Sequence, residues 1–78
     1  RGMTRALAAA GDLAERAGRT GLAGSYLLRA GRSAAQRSEP DARTWLTRAR
    51  ALGERADDTA LVLEAETMLN QLGTQRPE

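Results

Sequence analysis

Nucleophilic chemistry in this chain would fall to hydroxyls such as Ser25, Ser33 and Ser38. Such a hydroxyl needs a base beside it, and the familiar base is histidine. The sequence has no histidine, and no cysteine to serve as a thiolate instead. Paired carboxylates are the next candidates for acid–base or metal chemistry. Glu64 and Glu66 stand two apart, so on a helix they point to different faces. Asp57 and Asp58 fall where a helix begins, and read as caps rather than metal ligands. No glycine-rich phosphate loop follows a strand, because no strand is expected. The expectation is a protein without catalysis, metal or cofactor.

Arginine is the remaining chemically active side chain, and every basic residue is arginine. Selection for bidentate phosphate or carboxylate contacts would favour it, but so would GC-rich coding, which also enriches alanine and glycine. The net charge of +2 is modest, with ten acids spread among the arginines. Pairs such as Glu15 with Arg19, and Glu39 with Arg43, are spaced for local i,i+4 bridges. Most arginine therefore reads as solvated surface.

Seventy-eight residues make one domain, 1–78. A chain this short buries only about 60% of its unfolded surface, so its core is small. The first residue is arginine, and the expectation is a fragment of a larger protein. No apolar run approaches membrane-spanning length and no signal segment opens the chain, giving an expectation of a cytoplasmic protein off the membrane.

Apolar volume comes mainly from alanine and leucine, with Trp45 and Tyr26 the only aromatics and Val62 the only valine. That composition favours helices over strands, and helical spacing divides it into four. Met3, Ala6, Leu7, Ala10, Leu13, Ala14 and Ala17 share one face of the first, with Gly18 as its stop. Thr20 is placed to cap the second, whose stripe is Ala23, Leu27, Ala30 and Ala34, flanked by Leu22 and Tyr26. "SEPD" starts the third, with Ser38 or Glu39 at the cap and Ala42, Trp45, Leu46, Ala49, Leu52, Gly53 and Ala56 inward. Asp57 or Asp58 caps the fourth, with Leu61, Ala65, Met68, Leu69 and Leu72 inward, Gly73 as the stop and "TQRPE" as a frayed tail. Links of about two to four residues make consecutive helices antiparallel neighbours. Gly11, Gly24, Gly31 and Gly53 lower helix propensity, and close helix approach is the expected return. The fold class is all-α, four antiparallel helices forming an α-hairpin array. Trp45 and Leu46 are expected between the second and third helices or against the fourth.

The chain also repeats itself. "LAERAGRT" at 13–20 returns as "LGERADDT" at 52–59. Laying residues 5–22 on 44–61 gives eight identities in eighteen positions: Leu7, Ala10, Leu13, Glu15, Arg16, Ala17, Thr20 and Leu22 meet their like 39 residues on. A period near forty belongs to stacked helical hairpins. The central stretch "YLLRAGRSAAQRSEPDARTWLTRARAL" resembles the tetratricopeptide-repeat superfamily, especially the repeats of bacterial regulators. There Leu27, Ala30, Gly31 and Ala34 would match the first helix of a unit, and Ala42, Leu46 and Ala49 the second. The turn at "RSEPDA" is about a residue short for that family, and Pro40 stands where an aromatic is usual.

The resemblance implies a protein- or peptide-binding module, within a bacterial signalling or transcriptional regulator. Carried over by register, its partner-binding residues would be Ser25, Leu28, Arg32 and Gln36 on the second helix, with Glu64, Thr67 and Gln71 on the fourth. The lysine–asparagine clamp of some members is unmatched, since lysine is absent. Two alternatives stand beside it. Residues 13–31 resemble a helix-turn-helix, whose recognition helix would present Thr20, Ser25 and Arg29 to DNA; Asp57 and Asp58 in the second copy would repel phosphate. The other is a helical oligomerisation module, in which Val62 and Leu63 on the fourth helix form an apolar patch for self-association.

Overall fold

The computed structural model describes residues 2–74, without the side chain of Thr74. Four helices follow in order: α1 (Gly2–Arg16), α2 (Thr20–Gln36), α3 (Ala42–Arg55) and α4 (Thr59–Thr74). All are where the apolar spacing puts them, and no strand occurs among the described residues. Helix α4 runs through Gly73 rather than stopping at it. Gln75–Glu78, most of the expected tail, lie outside the described residues.

One turn motif makes all three links. After α1, the Arg19 N–H donates to the Ala14 carbonyl at 2.9 Å and the Gly18 N–H to Glu15 at 3.0 Å. After α2, Glu39 donates to Ala34 (2.8 Å) and Ser38 to Ala35 (3.1 Å); after α3, Asp58 donates to Gly53 (2.8 Å) and Asp57 to Glu54 (3.2 Å). These paired bonds satisfy the last carbonyls of each helix and need one left-handed residue. Gly18, Ser38 and Asp57 fill that place, with φ of 79°, 56° and 59°. The starts differ from expectation. Arg19 and Asp41, not Thr20 and Ser38 or Glu39, precede α2 and α3, and neither side chain caps its helix. Among the described residues only Asp58 does so, its Oδ1 accepting from the Leu61 N–H at 3.2 Å.

Neighbours in sequence pack antiparallel. Thr4 near the start of α1 meets Ser33 near the end of α2, Gly31 and Gly24 of α2 lie against Leu46 and Leu52 of α3, and Arg50 of α3 reaches Glu66 of α4. Alternate helices run parallel, in two layers. Arg48 on α3 reaches both Asp12 and Glu15 on α1 at 3.1 Å, and Arg55 reaches Glu15 at 3.6 Å. Glu15 is thus drawn across to α3 rather than to Arg19. In the other layer Gly24 approaches Leu61, and Arg32 lies 3.8 Å from Glu64. These partly exposed pairs each contribute about 0–1 kcal/mol, so they tune an arrangement set by packing.

Helix α2 is the hub. It touches α1, α3 and α4, and its buried arc takes in Ala23, Gly24, Leu27, Leu28, Ala30, Gly31, Ser33 and Ala34. Leu27 and Leu46 are the largest side chains wholly removed from water. A Cβ on Gly31 would stand 2.5 Å from Leu46 Cγ, and one on Gly11 2.9 Å from Leu27 Cγ. Glycine there lets the helices close onto the leucines, as its placement in the sequence implied.

Helix α1 departs from the expected face. Thr4, Ala8, Gly11 and Ala14 are buried, while Met3 and Leu13 are 61% and 65% exposed and Ala6 and Ala17 also face water. Close approach over Gly11 sets which side of α1 meets α2, and it turns much of the apolar stripe outward. Trp45 lies on the α1 side of α3. It lines a cavity of about 460 Å³ with Thr4, Arg5, Ala8, Ala9 and Asp12. The Arg48 guanidinium carbon lies 5.9 Å from its ring centroid.

Candidate functional site

The outward stripe of α2 and the adjoining side of α4 enclose a furrow. Side chains recur on one helix face every three or four residues, so Ser25, Arg29, Arg32 and Gln36 occupy the strip of α2 left outside its buried arc. On α4 the same rule aligns Glu64, Met68, Gln71 and Leu72. Because α2 and α4 run parallel, the two strips stay abreast. Arg32, Ala35 and Gln36 from α2, with Met68, Gln71 and Leu72 from α4, line a depression of about 330 Å³. A second, of about 270 Å³, is lined by Leu63, Glu64, Thr67, Met68 and Gln71. The two adjoin at Met68 and Gln71, the first lying between α2 and α4 and the second on the outer surface of α4, and together they are termed the furrow.

Its floor is apolar and its edges carry groups of both kinds. Met68 and Leu72 are partly buried and pack on the core. Arg32 and Glu64, paired at 3.8 Å with side chains 48% and 57% exposed, bridge the furrow. A bridge so exposed is readily exchanged for contacts to a ligand. Thr67, exposed, turns its Oγ1 back to donate to the Leu63 carbonyl at 2.9 Å. The furrow thus offers an apolar seat for one or two side chains, with a guanidinium, a carboxylate and amides beside them.

Five of the residues carried over by register, Arg32, Gln36, Glu64, Thr67 and Gln71, line this furrow. Ser25 is exposed on the same strip of α2 but outside both depressions. Leu28 is a correction: it is only 6% exposed and belongs to the core cluster. Three helices pack on α2, so its buried arc is wider than one stripe and takes in Leu28. Met68 and Leu72, read in the sequence as core, serve the furrow as well. The spacing that put them inward was sound, but with no further helix beyond α4 among the described residues their edges stay open.

The apolar patch expected of Val62 and Leu63 is divided. Val62 is partly buried, and its Cγ2 lies 3.0 Å from where a Gly53 Cβ would stand. Leu63, 56% exposed, closes one end of the furrow instead.

The cavity beside Trp45 also had no signal in the sequence. Asp12, Glu39 and Asp41 give it three carboxylates against the single guanidinium of Arg5. The indole Nε1 is buried without a hydrogen-bond partner among the described residues. No group of three or more His, Cys, Asp or Glu side chains is placed to hold a metal among the described residues, and no helix there is long and apolar enough to cross a membrane. Comparison of the chain with family models, with curated proteins and with solved structures returns no match.

Proposed function

We propose that this chain is a peptide-binding helical-repeat module of the tetratricopeptide kind, and that the furrow between α2 and α4 takes an extended or helical segment of a partner protein. The observation that supports this reading is the furrow itself: five residues that the family resemblance assigns by register line its two adjoining depressions, which share Met68. The parallel layering of α2 with α4, and of α1 with α3, is the arrangement that stacked hairpins require. A regulator of signalling or transcription is the setting we propose for it.

The test starts from random peptides displayed on phage, selected against the chain and measured by calorimetry. Selected peptides should carry an apolar anchor. Thr67→Arg, which fills the furrow from an exposed position, should weaken them at least roughly tenfold, about 1.4 kcal/mol, without lowering the melting temperature. Selected peptides indifferent to Thr67→Arg would refute the site.

A DNA-reading role fits less well. The helices of a helix-turn-helix cross at a large angle, whereas α1 and α2 lie along each other from Thr4–Ser33 to Gly11–Leu27. That motif also needs Leu13 inside, and it is exposed.

A further inference from the structure

Of the four large apolar residues exposed among the described residues, Met3, Leu13, Leu22 and Leu63, three belong to one internal correspondence. The 39-residue repeat sets Met3 on Ala42, Leu7 on Leu46, Ala10 on Ala49, Leu13 on Leu52 and Leu22 on Leu61. In the second copy all five are buried. In the first, Leu13 is 65% exposed where Leu52 is 3%, and Leu22 is 42% exposed where Leu61 is 4%.

What buries the second copy is α2. A Cβ on Gly31 would stand 2.5 Å from Leu46 Cδ2, and a Cβ on Gly24 would stand 2.5 Å from Leu61 Cδ2 and 3.3 Å from Leu52 Cβ. Two glycines seven apart share one helix face. They let α2 lie down in the angle between α3 and the start of α4, one glycine over Leu46 and the other between Leu52 and Leu61. The first copy builds the same angle, between α1 and the start of α2, with leucines at the same three places. Its link is the same turn motif, with Gly18 in place of Asp57. Among the described residues only α2 reaches it, at one edge: Leu7 packs partly on the core, and Met3 and Leu7 line a depression with Arg29, Ser33 and Gln36, while Leu13 and Leu22 stay open.

We infer that the flank formed by Met3, Leu7, Ala10, Leu13 and Leu22 is a docking site for a single partner helix of α2's chemistry: amphipathic, antiparallel to α1, with glycines seven residues apart over Leu7 and between Leu13 and Leu22. The site lies across α2 from α4 and meets the furrow at Arg32 and Gln36, which also line the depression over Met3 and Leu7. Alanine at position 10 keeps the middle of the flank low, as Ala49 does beneath α2. A helix with larger side chains at the two glycine places would be held off by the leucines, so the spacing of small residues is what selects the partner.

The test supplies that helix within the chain. A second copy of residues 20–41 joined ahead of Met3, in place of residues 1–2, puts an α2 sequence and its own link at the position the repeat assigns. The extended chain should show one more helix by circular dichroism and melt cooperatively at a higher temperature. Leu13→Glu should lower its melting by roughly 5 °C or more, while moving the 78-residue chain by no more than roughly 2 °C. Gly→Leu at the copied Gly24 and Gly31 places should also erase the gain. An extended chain that melts no higher, a gain that survives Leu13→Glu, or an equal loss in both chains overturns the inference. So does a 78-residue chain that sediments as a dimer dispersed by Leu13→Glu, because the occupant would then be a second copy.

Discussion

The hydroxyls of Thr4 and Ser33 meet at 2.9 Å, buried between the first turn of α1 and the last turns of α2. Each satisfies the other in a place neither could hold alone. A buried hydroxyl without a partner costs about 1–3 kcal/mol, while removing both partners together is nearly neutral. Ser33→Ala should therefore destabilise the chain by about that amount, and Thr4→Val added to it should restore much of the loss. Urea unfolding of the two single variants and the double variant measures the coupling; simple additivity would show that the pair contributes nothing.

Leu46 tests the core. It is wholly buried beneath Gly31, and truncation to alanine removes packing that the neighbours can only partly regain. Leu46→Ala should cost about 2–5 kcal/mol, a large fraction of the stability of a domain this size. Leu13→Ala, at an exposed place, should stay within about 0.5 kcal/mol of the parent. Both follow from denaturant midpoints, and an unchanged midpoint for Leu46→Ala would contradict the packing.

Glycine substitutions should change sign with position. Gly31→Ala gains helix propensity but drives a Cβ into Leu46, whose backbone nitrogen lies 3.3 Å away and cannot yield. Overpacking of this kind costs about 1–3 kcal/mol. Gly21→Ala meets only the Ala56 Cβ at an ordinary 3.7 Å, so up to about 1 kcal/mol of propensity should appear as added stability. Thermal melts of the two variants should move in opposite directions; stabilisation by Gly31→Ala would show that α2 and α3 are not so close.

The three links carry a similar asymmetry. Ser38 and Asp57 hold the left-handed conformation that Gly18 holds without strain. Ser38→Gly and Asp57→Gly should each raise stability by up to about 1 kcal/mol, and Gly18→Ala should lower it by a similar amount. Asp58→Ala removes the cap on Leu61 and should cost about 0.5–2 kcal/mol. Equilibrium unfolding that ranks these variants otherwise would contradict the shared turn geometry.

The helices were legible because alanine and leucine recur at helical spacing and the links are short. Which face of α1 turned inward was not legible. Its apolar stripe, Met3 to Ala17, is a true pattern, but the neighbour that α1 has is α2, and contact with α2 is decided by Gly11 and sealed by Thr4. Leu28 was misplaced for a related reason, since amphipathic spacing assumes one covered face and α2 has three neighbours. The furrow was more legible. Arg32, Gln36, Glu64, Thr67 and Gln71 fall on surfaces that α2 and α4 leave open, and the family resemblance, carried over by register, is what pointed to them. The cavity beside Trp45 depends on how α1 leans over α3, which no local pattern records.

Amide chemical-shift mapping tests the binding furrow most directly. The ¹⁵N-labelled chain would be titrated with peptides selected from a random displayed library. The shifts should concentrate on the α2 and α4 strips, at Arg32, Ala35, Gln36, Glu64, Thr67, Met68 and Gln71, and leave the outer face of α1 unmoved. Shifts confined to α1 and α3, or no saturable shift with any selected peptide, would contradict it.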